Sequence, residues 1–305
     1  MKAAVIFLVF ASLLSFTNQA MSQDSQPLVD VQWLKSMICA PGIIILDVRR
    51  SAEDYKSGHI PCALHTNYYK DGWRMRKQGV PHMMPPVPQL EALVGKLGIK
   101  VGSHVVIYGP GTGEFDAAET TSIYLTLKYL GHTQVSILNG GLPAWMDEWS
   151  ADFDVGVVEP SPVQYTANPK PDFLVSIDEV ETALSGGSTL VDIRSNDMFL
   201  GINKAWMLKR PGTIPGALNL PMSWFTVDSS LKFRDHQNLQ ILFAAANVPL
   251  EGRVILFCNA GLESSMGWFV AHEVLGNKQA VLYDGSLAEW TKNQDLPMTK
   301  HVEFN

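Results

Sequence analysis

Cys258 closes an apolar run, Arg253-Val254-Ile255-Leu256-Phe257, and opens a loop, Asn259-Ala260-Gly261-Leu262-Glu263-Ser264-Ser265. Trp268, Phe269, Val270, Ala271 and Leu275 follow at helical spacing. Strand, cysteine, short glycine-bearing loop, helix: this order aims peptide N–H groups and the positive end of a helix at one sulfur. Both favour the thiolate, and a thiolate is a nucleophile. The sequence has no CxxC and no Cys/His cluster at ligand spacing, so neither zinc nor another cofactor is expected.

Six short apolar runs provide the frame: Ile43 to Val48, Val105 to Tyr108, Val135 to Leu138, Leu190 to Ile193, Val254 to Phe257 and Ala280 to Tyr283. Each reads as a strand buried on both faces. Helical patterns alternate with them, notably Ala117 to Leu130 and Ser265 to Leu275, with Gly131 and Gly276 as stops. The alternation predicts an α/β fold with a mainly parallel sheet. Ligands of such sheets sit beyond the carboxyl ends of the strands. Cys258 is at such an end, and so are Arg49 and Arg194, each after a strand closing on an Asp. For Arg49 a structural ion pair is the expectation. For Arg194, in the half that carries the cysteine, structural support and anion binding both stand.

The half-chain occurs twice. Asp47-Val48-Arg49 returns as Asp192-Ile193-Arg194, an offset of 145 (192 less 47), and Gly131 and Gly276 share that offset. So do Asn139-Gly140-Gly141-Leu142-Pro143-Ala144-Trp145 and Asp284-Gly285-Ser286-Leu287-Ala288-Glu289-Trp290. Gly58-His59-Ile60-Pro61 faces Gly212-Thr213-Ile214-Pro215, and Tyr108-Gly109 faces Phe257-Cys258, after local shifts. The period is too long for a solenoid, so two homologous domains are expected. Gly109 occupies the cysteine position of the first, which makes that domain a scaffold and the second the chemical one. The predicted division is a signal peptide over 1–22, a first domain over 23–155, a proline-bearing linker over 156–171, and a catalytic domain over 172–305.

A chain of 305 residues suits two domains, and 46% hydrophobic with 17% charged residues excludes a disordered chain. With 23 basic against 30 acidic residues and no basic stripe, nucleic acid is not an expected partner. Lys2, an apolar run from Ala3 to Phe16, and small residues at Ala20-Met21-Ser22 read as a cleaved export signal, with cleavage after Ser22 or after Ala20. That predicts an exported protein, periplasmic if bacterial, with no membrane attachment after cleavage. Cys39 and Cys62 flank the first strand. Either a disulfide across domain one or, as the plainer expectation, two buried thiols would leave Cys258 free.

Taken together and in duplicate, Leu46-Asp47-Val48-Arg49 with Gly58-His59-Ile60-Pro61, Val191-Asp192-Ile193-Arg194 with Gly212-Thr213-Ile214-Pro215-Gly216-Ala217, the cysteine loop and the Asp284-to-Trp290 ending resemble the tandem-domain rhodaneses, or sulfurtransferases. The resemblance runs from about Leu28 to about Pro297, and the Cys-Asn-Ala-Gly start with Trp268-Phe269 is most similar to exported bacterial members. It implies two rhodanese-like domains, each a mainly parallel sheet flanked by helices. It also implies a Cys258 persulfide formed from a small sulfur-containing anion such as thiosulfate or 3-mercaptopyruvate. A thiol or a protein acceptor then removes the sulfur. The residues from Asn259 to Ser265, that is Asn259, Ala260, Gly261, Leu262, Glu263, Ser264 and Ser265, would bind the substrate together with Arg194.

The chain departs from the family pattern in two places. Asn259 and Ala260 stand where thiosulfate-type members carry basic residues, and Met198 stands where many tandem members carry a second Arg. Lys209, Arg210, Arg74 and Arg76 are candidate replacements. A non-catalytic persulfide carrier is the alternative reading. A cysteine phosphatase would need an arginine six positions after the cysteine, where this chain has Ser264.

Overall fold

The structure, a computed structural model, describes residues 25–148, 152–228 and 230–304. The expected signal peptide lies outside them. The described strands are β1 (Leu28–Val29), β2 (Ile43–Asp47), β3 (Ala63–His65), β4 (Met75–Lys77), β5 (Val80–Met83), β6 (His104–Tyr108) and β7 (Val135–Leu138) in the first half. The second half holds β8 (Leu174–Val175), β9 (Thr189–Asp192), β10 (Leu218–Asn219), β11 (Val254–Phe257) and β12 (Ala280–Tyr283).

Two five-stranded sheets result, ordered β1-β7-β6-β2-β3 and β10-β9-β11-β12-β8. Every pairing within them is parallel. Read from the opposite edge the second order repeats the first, with β6 and β11 as the equivalent central strands. β7, β11 and β12 are buried at every residue, as the uninterrupted apolar runs require.

The expected strands are present within a residue at each end. The edge strands β1, β3, β8 and β10 and the β4–β5 hairpin were not foreseen. They are two to four residues long, too short for a period to register.

The Glu114–Tyr129 helix and the Leu262–Trp268 helix each follow the central strand of their half and pack against one another across the domain boundary. One apolar cluster runs through both halves, from Leu46, Ile107 and Ile123 to Leu256, Met266 and Phe269. The helix expected over 265–275 starts earlier and widens into a π-helical stretch over Phe269–Val274. There the Leu275 amide reaches back five residues to the Val270 carbonyl. The wide turn lets Trp268 stack on His272 while Phe269 meets Tyr124 edge-on.

Cys39 and Cys62 are disulfide-bonded, with Cα atoms 5.6 Å apart, and both are exposed. This corrects the expectation of two buried thiols. Cys39 precedes β2, Cys62 precedes β3, and the two strands pair with Ile45 opposite Ala63, which brings the cysteines side by side. Residues 156–170 contain no helix or strand but bond to the first half: Val163 to Gly95, Asn168 to Leu130 and Lys170 to Tyr129.

Candidate active site

Cys258 is the first residue beyond β11, at the carboxyl edge of the second sheet. The chain must reverse at once to enter the next helix. Gly261 makes this possible at φ +77°, in the left-handed region. A Cβ there would stand 2.8 Å from the Asp284 carbonyl oxygen, so only glycine lets the loop lie against the end of β12.

The turn after β12 grips this loop. The Leu287 amide donates to the Cys258 carbonyl at 3.1 Å and the Ala288 amide to the Asn259 carbonyl at 2.8 Å. The Ser286 hydroxyl oxygen accepts the Cys258 N–H at 3.1 Å and the Gly261 N–H at 3.2 Å. With those two amides occupied, the Ala260 and Ser264 N–H groups are the ones aimed at the sulfur. The Ser264 hydroxyl adds a third donor, 3.3 Å from Cys258 Sγ. Ser286 Oγ is 3.9 Å from the sulfur, but its single proton goes to the Tyr283 carbonyl oxygen at 2.7 Å.

The sulfur is enclosed, with Cys258 0% exposed. Burial, and then the nearby Glu263 charge, push its thiol up from 9.0 to about 12 against the three donors. This departs from the thiolate that the strand–loop–helix order favours in the sequence. The donors are in place, but in this closed form desolvation outweighs them and the thiol keeps its proton.

Glu263 is itself buried. Burial pushes its carboxyl above the usual range, opposed by the Asn259 backbone and side-chain N–H donors and by Arg194. Asn259 Nδ2 lies 3.0 Å from Glu263 Oε2 and 3.6 Å from Met198 Sδ, while Asn259 Oδ1 is buried without a partner. Ala260 is buried in the loop wall and Leu262 is partly buried beside the shared core. Ser265 turns away from the sulfur. Its hydroxyl donates to Leu262 O at 2.6 Å and sits 3.1 Å from Thr121 Oγ1, at the seam with the first domain.

Arg194 is fully buried and braces the strand end. Nε and Nη2 hold Asp192 at 2.9 and 2.6 Å, and Nη2 reaches the Gly212 carbonyl at 2.8 Å. Arg49 makes the same bonds to Asp47 and Gly58 in the half that has Gly109 in place of the loop cysteine, so the brace belongs to the fold. Arg194 Nη1 alone is left without a partner. The candidate replacement cations do not converge on the loop. Arg74 is bound to Trp73, Ser122 and Thr126, Arg210 to Asn293 and Leu296, and Arg76 to Gly79. Lys209 is exposed, and its backbone amide bonds Thr291.

Sequence reasoning missed Ser286 and Asp284 as loop partners. The signal was present: the repeat places Ser286 on Gly141 and Asp284 on Asn139, beside the shared Gly, Leu and Trp of the two turns. Asp284 Oδ2 accepts the Met84 amide at 2.7 Å, so the hairpin side of domain one reaches the turn that holds the cysteine loop. No helix among the described residues is long and apolar enough to cross a membrane, and no cluster of His, Cys, Asp and Glu among them could hold a metal ion.

Known proteins share this frame. A Haloferax volcanii relative is 31% identical over 90% of this chain and 96% of its own length. The thiosulfate sulfurtransferase of Corynebacterium glutamicum is 29% identical over 89% of each chain. An Escherichia coli crystal structure described as a 3-mercaptopyruvate sulfotransferase superposes with a TM-score of 0.72 at 24% identity, covering 88% of this chain and all of that one, a likeness of fold. The Rhodanese-like domain matches twice, over residues 30–148 and 176–293, and the protein belongs to that family.

Proposed function

We propose that this sulfurtransferase moves a sulfane sulfur from thiosulfate or 3-mercaptopyruvate to a thiol or another nucleophile through a persulfide on Cys258. The relatives named thiosulfate sulfurtransferase support the transferase class. The observation that carries the mechanism is the set of three donors, the Ala260 and Ser264 amides and the Ser264 hydroxyl, directed at one sulfur beyond the central strand. After the thiol loses its proton, Sγ attacks the outer sulfur of the donor. The S–S bond of thiosulfate breaks and its electron pair leaves with sulfite. With mercaptopyruvate the C–S bond breaks instead, and the carbon that keeps the pair takes up a proton to give pyruvate. The acceptor thiolate then attacks the outer sulfur of the persulfide and returns Cys258 as thiolate. The donors lower the energy of each sulfur anion without a metal.

The closed, protonated cysteine is the resting form in this reading, and donor entry requires the loop to part. The first domain, with Gly109 at the cysteine position, serves as scaffold and cleft wall. Export is part of the same proposal. The exposed Cys39–Cys62 disulfide suits an oxidising compartment and agrees with the N-terminal signal reading.

Glu263, which adds a negative charge to the loop, and Met198, a thioether where a cation was expected, favour a second reading as a persulfide carrier with little turnover on small donors. One experiment separates them. Wild-type protein incubated with thiosulfate, mercaptopyruvate or polysulfide gains one sulfur atom by intact mass, and Cys258→Ser does not. Turnover with added thiol distinguishes an enzyme from a carrier, and no mass gain with any donor refutes both.

A further inference from the structure

Ser286 is buried and sits at φ +48°, in the left-handed region where a side chain is strained. The repeat supplies an internal control. Gly141 occupies the same place in the first domain at φ +57°, where the strain is absent. The preceding residues differ, Gly140 at φ +90° and Gly285 at φ −65°, but one main-chain bond is common to both turns. Leu142 N–H donates to Gly109 O at 3.0 Å just as Leu287 N–H donates to Cys258 O at 3.1 Å. Both turns therefore hold their loops by main chain, and the fold does not need a serine here. A Cβ at Gly141 would stand 2.7 Å from the Gly109 oxygen, so the first domain has no room for one, whereas the second has made room. What the strained residue adds is one oxygen. It accepts N–H from Cys258 and Gly261 and passes its proton to Tyr283 O. A hydroxyl has two acceptor lone pairs and one proton, and all three are used. Gly261 is the pivot of the loop, so fixing its amide fixes which amides remain to face the sulfur.

We propose that Ser286 is a positioning residue: it binds the Cys258 and Gly261 amides so that the Ala260 and Ser264 amides point at Cys258 Sγ, and the catalytic half retains backbone strain at this position for that purpose. The inference rests on the persulfide reading for its consequence, but not for its test. Without the oxygen, two buried amides lose their acceptor and the loop turns to find others, moving its remaining N–H groups off the sulfur.

The test uses the full-length protein with Ser286→Ala, which keeps the strain and loses the oxygen, and Ser286→Gly, which loses both. Glycine is already tolerated at the matching turn, so the second variant guards against misfolding. Two quantities are read: the pH midpoint of Cys258 alkylation by iodoacetamide, and the single-turnover rate of persulfide formation. In both variants the alkylation midpoint moves up and persulfide formation falls tenfold or more. Ser286→Gly nevertheless melts at or above the temperature of Ser286→Ala. A merely structural serine predicts instead that the relaxed glycine variant keeps the wild-type midpoint and a rate within threefold, and that result overturns the proposal. If wild-type protein forms no persulfide, the transferase reading fails, and an unmoved alkylation midpoint still refutes Ser286 on its own.

Discussion

Replacing Glu263 with Gln tests the electrostatics of the cysteine most directly. The Cys258 thiol stands at about 12 against 9.0 for an exposed one. At neutral pH the closed form therefore holds about a thousandth of the thiolate of an exposed cysteine, a penalty on the order of 4 kcal/mol. Burial is the larger cause and the Glu263 charge the next. Full ionisation of a carboxylate a few ångströms away would cost the thiolate a few kcal/mol at an effective dielectric of about 20. Burial pushes the Glu263 carboxyl above its usual range, and as the smaller of the two causes its charge is assigned about 1–2 kcal/mol, or about tenfold. The neutral amide of the variant still offers an oxygen to Asn259 Nδ2, so the loop contacts survive. Glu263→Gln should thus raise the rate of Cys258 alkylation at pH 7 about tenfold and lower its pH midpoint. The assay is iodoacetamide labelling followed by intact mass, from pH 7 up to about 12, where the thiol titrates. A variant that alkylates at the wild-type rate, or wild-type protein that already alkylates like a free thiol, would refute the account of a buried thiol held down by its neighbour.

Two further outcomes concern stability. The Cys39–Cys62 bond closes a loop with a sequence separation of 23, so Cys39→Ser with Cys62→Ser should cost roughly 3 kcal/mol. Melting with and without reductant checks this, since wild type in reductant should fall to the level of the double variant. Glu273 joins the two halves, accepting from Tyr124, pairing with His272 at 2.6 Å and lying 3.6 Å from Lys128. Burial opposes its ionisation, but His272, Lys128, Tyr124 and Lys278 together hold its carboxyl well below 4.5. A depressed folded value gives stability that is complete above the unfolded value and is lost as pH falls toward the folded one. Glu273→Gln should therefore be less stable by about 3 kcal/mol at pH 7, with the gap narrowing below pH 4.5. Urea titrations that show the same gap at pH 7 and pH 3 would contradict the assignment.

The central strands were legible because burial on both faces writes an unbroken apolar run, as at Val254 to Phe257. The pairing of the halves was legible because Asp47–Arg49 and Asp192–Arg194 make the same brace in each. Burial of the cysteine was not legible. Its loop reads as polar, but Asn259 Nδ2 donates to the Glu263 carboxylate and Ser265 turns to the first domain, so the polar groups line an enclosed site. The positions of Arg74 and Arg210 were equally hidden, since their partners are backbone carbonyls and hydroxyls brought near only by the fold. A charge counted in a sequence carries no record of what has already neutralised or fixed it.

The two domains share sheet order and brace, and among the positions where they differ two pairs bear directly on the cysteine loop. Gly109 and Cys258 are one such pair: a Cβ on Gly109 would press on Thr120 Oγ1 at 3.1 Å, whereas the second half gives a thiol space. Gly141 and Ser286 are the other, and they lie across the same hydrogen bond, from residue 142 to 109 and from 287 to 258. A thiol introduced at Gly109 alone would lack the hydroxyl that orients its loop, and Asp116 already draws the Thr112 amide and hydroxyl to itself at 2.8 and 2.7 Å. On the proposed persulfide reading, the second domain needs the paired change, nucleophile and loop anchor together, and neither residue suffices alone.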